Sequence, residues 1–131
     1  MIFSAYEEKA KEYDIPIRIQ AELPQSIAIS ESDLCVLLSN ALENALHACR
    51  KLKEKDICGT IEVFAFEKKG RLCFQIVNSC DKYVAFEKGI PVTTTPGHGI
   101  GVRSICALVE RYHGMYTFAV EDEKFILRIF I

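Results

Sequence analysis

Five short segments of the chain are rich in apolar residues and are typical of β-strands, and apolar and polar residues alternate clearly in the first of them. The segments are residues 15–19, 61–66, 72–77, 115–120 and 124–131. Apolar residues recur with the helical period in residues 2–13, after Ser30 and after Gly101. Ser30 opens the longest helix with an S-x-x-D capping pattern, and that helix is predicted to run to about Leu52.

The order of these elements predicts the fold class. Strands in hairpin pairs, interleaved with two long helices, favour an α+β fold, a two-layer α/β sandwich with a mixed sheet and its helices on one face. A doubly wound parallel sheet fits this order less well. Residues 1–13 are interpreted as the end of a linker helix from a preceding domain, and residues 14–131 as one domain. Residues 78–97 hold prolines, glycines and a run of threonines, which predicts a long loop.

The long helix carries a polar stripe beside its apolar face. The residues that must face the sheet by the helical period are Leu34, Leu38, Ala41, Ala45, Cys49 and Leu52. Beside them, at the border between core and solvent, lie Asn40, Asn44, His47 and Lys51. An asparagine oxygen suits Mg²⁺ as a ligand, and His47 and Lys51 would then meet phosphate oxygens. The alternative is a pair of exposed asparagines that bind only water.

A glycine-rich run, Gly97-His98-Gly99-Ile100-Gly101, leads into the last helix. Glycines allow a ligand to approach the backbone closely, and the free N–H groups and dipole of a helix start favour an anion. Thr94 and Thr95 precede the run and would add hydrogen bonds. A dinucleotide fold and a P-loop are disfavoured, because the run follows no strand of a βαβ unit and lacks G-K-[S/T]. A flexible connection without a ligand is the alternative.

The composition excludes several classes of function. With 131 residues the chain fits one domain, and its formal net charge of −2 gives no general attraction to nucleic acid or acidic membranes. The six cysteines have neither CxxC nor zinc-site spacing, which predicts reduced, mostly buried thiols in a cytoplasm and no metal cluster. No apolar run reaches the roughly 18 residues of a membrane span, and the start lacks a signal-peptide pattern.

Two of these motifs together resemble the GHKL family, which includes histidine kinases, gyrase-type ATPases and related chaperones. Residues 38–46, Leu-Ser-Asn-Ala-Leu-Glu-Asn-Ala-Leu, look like its N box, and residues 97–102 look like its second glycine box. The resemblance covers residues 15–131 and is closest to the catalytic domains of peptide-sensing and LytS-like bacterial kinases. It implies a Bergerat-type ATP-binding fold that binds ATP and Mg²⁺.

The resemblance also implies roles for single residues. Asn44 would be the Mg²⁺ ligand. Asn40 stands where hydrolysing relatives have a glutamate that activates water, so transfer to a protein side chain is favoured over hydrolysis. Glu43 would orient Asn44 or the waters of the metal. The phosphates would lie along the backbone from Gly97 to Val102, and Asn78 would hydrogen-bond adenine.

Three positions depart from the family pattern. Asn78-Ser79-Cys80 replaces the D-x-G-x-G box expected after residues 72–77. His47 stands where the peptide-sensing branch often has an acidic residue, and Glu123-Lys124-Phe125 replaces a late G-T-x-F element. These departures are expected to weaken nucleotide affinity and leave the adenine contacts open.

The implied function is that of the catalytic domain of a two-component sensor histidine kinase. It would transfer the γ-phosphoryl group of ATP to a histidine on a helical dimerisation domain absent from this chain, and a response regulator would act downstream. The domain would be cytoplasmic, in a parent protein anchored in the bacterial membrane. His47, His98 and His113 are unsuited as acceptors, so the chain is expected to bind ATP without phosphorylating itself.

Two other functions fit the same motifs. One is an anti-sigma-type serine kinase that acts on a partner protein, and the other is a GHKL-fold interaction domain with weak or lost nucleotide binding. The kinase interpretation requires that the asparagine pair and the glycine run face each other across one pocket.

Overall fold

The structure is a computed structural model that describes residues 2–81, 84–92 and 99–131. The helices are α1 (Ile2–Glu12), α2 (Glu31–Lys53) and α3 (Gly99–Arg111). The strands are β1 (Ile17–Ala21), β2 (Ile61–Lys68), β3 (Arg71–Ser79), β4 (Ala85–Glu87), β5 (Ile90–Val92), β6 (Met115–Glu121) and β7 (Lys124–Phe130).

Five of the strands form one mixed sheet in the order β1-β2-β3-β7-β6. β1 runs parallel to β2, and the other neighbours are antiparallel. The β2–β3 hairpin turns at Lys69 and Gly70 and the β6–β7 hairpin at Asp122 and Glu123, and all of these residues have positive φ. Tight two-residue hairpin turns require such angles. The predicted mixed sheet is confirmed.

The helices pack on one face of this sheet. α2 contacts β2 and β3, α3 contacts β6, and the two helices contact each other. The hydrophobic core between the layers includes Leu38 and Ala45 of α2, Phe74 and Ile76 of β3 and Val109 of α3. The predicted α+β two-layer sandwich with its helices on one face is therefore confirmed.

α1 belongs to the same hydrophobic core as the rest of the chain. Phe3, Tyr6 and Ala10 recur at helical spacing, and all three are buried in that core. α1 contacts α2 and β1. None of the described helices has the length and apolar character that crossing a membrane requires.

The other face of the sheet carries a row of apolar side chains. Phe66 of β2 pairs with Cys73 of β3, Cys73 with Phe130 of β7, and Phe130 with Met115 of β6. Cys73 is buried, whereas Phe66, Phe130 and Met115 are exposed. We call these four residues the back row.

The segment predicted as a loop at residues 78–97 is more regular than expected. β3 continues through Asn78 and Ser79, because β7 offers the pairing partners Phe125 and Lys124. β4 and β5 then form a small separate hairpin that turns at Lys88 and Gly89. The loop prediction was wrong for these residues, because Pro91 lies in β5 and proline is tolerated in a two-stranded ribbon that has free edges. Residues 82–83 and 93–97 lie outside the described part of the chain.

Side-chain contacts connect the start of α2 to the end of α3. Ser30 caps α2, as predicted, by accepting a hydrogen bond from the backbone N–H of Asp33 at 3.1 Å. The Asp33 carboxylate accepts a hydrogen bond from the Tyr112 hydroxyl and forms an ion pair with Arg111 at 2.9 Å. We call Asp33, Arg111 and Tyr112 the helix clamp.

Candidate functional site

The polar stripe of α2 forms one wall of a cavity of about 430 Å³. Asn44, His47 and Lys51 line it from α2, one helical turn apart. Asn78 near the end of β3 and Cys80 just after that strand line it as well, and α3 supplies Gly99 and Val102. We call this space the first cavity. It brings together residues from both sequence motifs.

Asn78 is the buried polar residue of the described core, and its side chain is 2% exposed. Its side-chain N–H donates a hydrogen bond to the backbone oxygen of Ser79 at 2.9 Å. Nearby, burial raises the pKa of the Cys80 thiol, so this group is protonated at neutral pH. Asn78 and Cys80 therefore offer a neutral amide and a neutral thiol to the first cavity, whose lining also includes the charged residues Glu54, Lys55 and Asp81.

A second cavity continues from the same stretch of α2. It has a volume of about 560 Å³ and is lined by Asn40, Asn44 and His47 together with Ile100 and Gly101 at the start of α3. A Cβ placed on Gly101 would lie 3.5 Å from Oδ1 of Asn40. Asn40 and Gly101 thus lie next to each other, and both line the second cavity together with Asn44.

Glu43, a candidate catalytic residue, contacts α1 at the rim of the second cavity. Its Oε1 accepts a hydrogen bond from the Tyr6 hydroxyl at 2.9 Å and pairs with the Lys9 ammonium. Partial burial raises the pKa of Glu43, but the hydrogen bonds from Lys9 and Tyr6 outweigh it and hold the pKa below its usual value. Glu43 is therefore an ionised partner of α1.

The residues that sequence reasoning missed come from α1, from the position just after it and from the end of α2. Lys9, Tyr13 and Arg50 all line the second cavity. Arg50 follows His47 by one helical turn, so the period could have indicated it. Nothing in the sequence indicates that α1 lies beside the N-box region, since this depends on tertiary packing.

Several predicted site residues fall outside the described residues. These are Thr94, Thr95, Gly97 and His98. Of the others in the run, Gly99, Ile100 and Gly101 form the first turn of α3, and Ile100 is exposed, whereas Val102 is buried against the first cavity.

The side chains fit Mg²⁺ only if phosphates share in holding it. In the described part of the chain, no group of three or more His, Cys, Asp or Glu residues could hold a metal ion. Asn44 supplies one neutral oxygen between the two cavities. Mg²⁺ is commonly held by one or two protein oxygens together with phosphates and water, so this donor set is compatible with it.

The sequence places the chain in a known family. The family model described as GHKL domain matches residues 29–131, and the chain therefore belongs to the GHKL domain family. A comparison with curated proteins finds no match.

Solved structures share its fold at low sequence identity. The nucleotide-free catalytic domain of histidine kinase ThkA is 16% identical with a TM-score of 0.76, covering 99% of this chain and 87% of that one. The mycobacterial sensor histidine kinase MprB is 16% identical with a TM-score of 0.73 over 99% of this chain and 90% of its own. The histidine kinase AdeS of Acinetobacter baumannii is 14% identical with a TM-score of 0.75 over 99% and 60%. The chain thus has the fold of histidine kinase catalytic domains.

Proposed function

We propose that this chain is the Mg·ATP-binding catalytic domain of a two-component sensor histidine kinase of the peptide-sensing, LytS-like branch. The observation that carries the proposal is the pair of adjacent cavities that share lining residues. Asn44 and His47 line both of them, and Asn40 lies opposite the first turn of α3. Such a space suits a ligand with an uncharged ring at one end and anionic groups at the other.

In this proposal the adenine lies in the first cavity. Asn78 would hydrogen-bond the base through its amide, and Val102 and Phe125 supply apolar surface for the ring. The phosphates would pass Asn44, meet His47 and Lys51, and approach the N–H groups at the start of α3. We propose that Thr94, Thr95, Gly97 and His98 add contacts to the phosphates.

The chemistry would be transfer of the γ-phosphoryl group to a histidine nitrogen on a helical dimerisation domain outside this chain, with ADP leaving. Bound Mg²⁺ would neutralise phosphate charge, with Asn44 as its protein ligand. The chain's own residues position the phosphates, which is the main protein contribution to phosphoryl transfer. Asn40 has no basic group to activate water, which disfavours hydrolysis. Glu43 would position the Asn44 region through its contacts with α1.

The role of Asn44 is tested by Asn44→Ala, with ATP binding measured by calorimetry in Mg²⁺ and in EDTA. We expect about 10- to 100-fold weaker binding in Mg²⁺, the usual loss when a metal site is damaged. Binding in EDTA should change little, since the ligand acts through the metal. Alanine favours a helix interior over asparagine by roughly 0.5 kcal/mol, so α2 should remain intact.

Val36→Ala is the matched control, because Val36 is exposed on the same helix and lines neither of these cavities. It should bind ATP like the unaltered chain. Unchanged Mg²⁺-dependent binding in Asn44→Ala would remove this residue from its proposed role. Absence of ATP binding in the unaltered chain would instead favour an interaction domain.

The acceptor is tested in the product of the complete reading frame, incubated with γ-labelled ATP. A phosphohistidine loses its label in acid and keeps it in alkali, because its P–N bond breaks when the ring nitrogen is protonated. We expect that pattern, together with no label on residues 1–131 alone. An acid-stable, alkali-labile product on a partner protein would identify a serine kinase and contradict the proposal.

A further inference from the structure

The second cavity has a wall that the family pattern does not account for. The cavity lies between α1, the middle of α2 and the first turn of α3. The family model begins its match at residue 29, so α1 lies outside the matched residues. Lys9 and Tyr13 nevertheless line the cavity beside Asn40 and Asn44. The contribution of α1 to this cavity is therefore a feature of this chain that the family match does not cover.

Positive charge predominates in the described lining of this cavity. Lys9 and Arg50 supply two cations, Glu43 supplies one carboxylate, and Ile100 and Gly101 lie at the N-terminus of α3. The N-terminus of a helix carries free N–H groups and partial positive charge. The second cavity therefore suits an anionic group, whereas Asn78 and Cys80 offer uncharged groups to the first cavity.

Lys9 is held at the rim of the cavity by the packing of α1. Phe3, Tyr6 and Ala10 anchor the helix in the core. Beyond its last turn, the ring of Tyr13 lies 4.1 Å from the guanidinium carbon of Arg50. α1 is thus attached to α2 on both sides of Lys9, which limits the positions that its ammonium group reaches.

We infer that Lys9 binds the terminal phosphate of a nucleoside triphosphate, an inference that rests on the proposed function. A nucleotide whose base lies near Asn78 passes Asn44 before its last phosphate enters the second cavity. The Lys9 ammonium has three N–H donors, so it can keep its contact with Glu43 and still donate to a phosphate oxygen. A nucleoside diphosphate lacks the group that reaches Lys9, so Lys9 distinguishes ATP from ADP.

The test is Lys9→Met, which removes the ammonium and keeps an unbranched stem, with Lys11→Met as the matched control on the exposed side of α1. Dissociation constants of ATP and ADP are measured in Mg²⁺ by calorimetry. We expect Lys9→Met to weaken ATP binding about tenfold, as befits a lost charge-assisted hydrogen bond, and to change ADP binding less than about twofold. Lys11→Met should change neither constant.

A double variant, Lys9→Met with Glu43→Gln, is compared with Glu43→Gln alone, which separates the effect of the ammonium from that of the carboxylate it contacts. If Lys9 binds phosphate, the double variant binds ATP more weakly than Glu43→Gln alone by the same factor of about ten. Recovery there would mean that an unpaired Glu43 repels the nucleotide, and it would overturn the inference, as would equal losses for ATP and ADP or no loss. If the unaltered chain binds neither nucleotide, the proposed function fails. If it binds both and Lys9→Met changes neither constant, only the inference about Lys9 fails.

Discussion

The thiol of Cys49 lies at a point where the end of α2 packs closely on the following chain. A Cβ placed on Gly59 would lie 2.9 Å from the Cys49 sulfur, so only glycine allows this approach. The thiol also donates to the backbone oxygen of Thr60 at 3.6 Å. Burial raises the pKa of Cys49 to about 11, so the reactive thiolate is scarce at neutral pH.

Burial predicts that the six cysteines fall into two classes that differ in the rate of reaction with a thiol reagent. All six cysteines are free, with Cys35 and Cys58 exposed and the other four buried. In native protein near pH 8, we expect a chromogenic disulfide reagent to label two thiols rapidly and four only as the chain unfolds. A Cys35→Ser, Cys58→Ser variant should show no rapid labelling. Fewer than six reactive thiols after denaturation would reveal a disulfide and contradict the structure.

The polar stripe of α2 could be predicted from the sequence because the helical period fixes the direction of each side chain. Asn44, His47 and Lys51 line the same cavity for that reason. The burial of Asn78 was harder to predict, although alternation along β3 directs its side chain to the same face as Ile76. Its burial depends on pairing with Phe125, a residue distant in the chain. The contact between Lys9 and Glu43 could not be predicted, since no local pattern specifies how α1 docks.

At the scale of elements, the helix clamp connects two helices that each contribute one wall of the cavities. A hydrogen bond from Tyr112 lowers the pKa of Asp33 below its ordinary value of 3.8, and Ser30 and Arg111 lower it further. The folded state therefore holds this proton less tightly than the unfolded chain does. Its contribution to stability is complete above pH 3.8 and is lost as the pH falls through the folded pKa.

Asp33→Asn tests this dependence, because it keeps the shape of the side chain and removes the charge. We expect a lower unfolding temperature than in the unaltered chain near pH 7, and a difference that shrinks progressively below the ordinary carboxyl pKa of Asp33. Glu31→Gln is the control in the same first turn of α2 and should show a smaller pH-dependent difference. A difference between the unaltered chain and Asp33→Asn that stays constant down to about pH 2 would contradict this account.

Elements were predictable where one residue pattern determines them. Both long hairpins and α2 were expected at nearly their observed bounds, because periodicity and turn residues agree there. β4 and β5 were not expected, since three-residue strands are too short to show a period and Pro91 reads as a break. Their pairing depends on a turn at Lys88 and Gly89, both with positive φ.

At the scale of the whole molecule, the layers could be predicted but the strand order could not. Hairpin pairs and amphipathic helices are sufficient to indicate a mixed sheet covered on one face. The junction of the two hairpins, β3 against β7, joins residues such as Asn78 and Phe125 that no local signal connects. The candidate site depends on this junction, because it places the end of β3 opposite α2 and the start of α3.

The back row also determines how the domain should be attached to a surface for binding measurements. Met115 and Phe66 lie on the face of the sheet opposite the helices, whereas Lys9, Lys51 and Lys55 line the cavities. Random coupling through lysine amines would obstruct both cavities. A single exposed cysteine introduced as Met115→Cys, after Cys35 and Cys58 are replaced by serine, would give one reactive thiol on the face opposite the helices. Immobilisation through that thiol would attach every molecule by the same face and leave the helix side toward the solution.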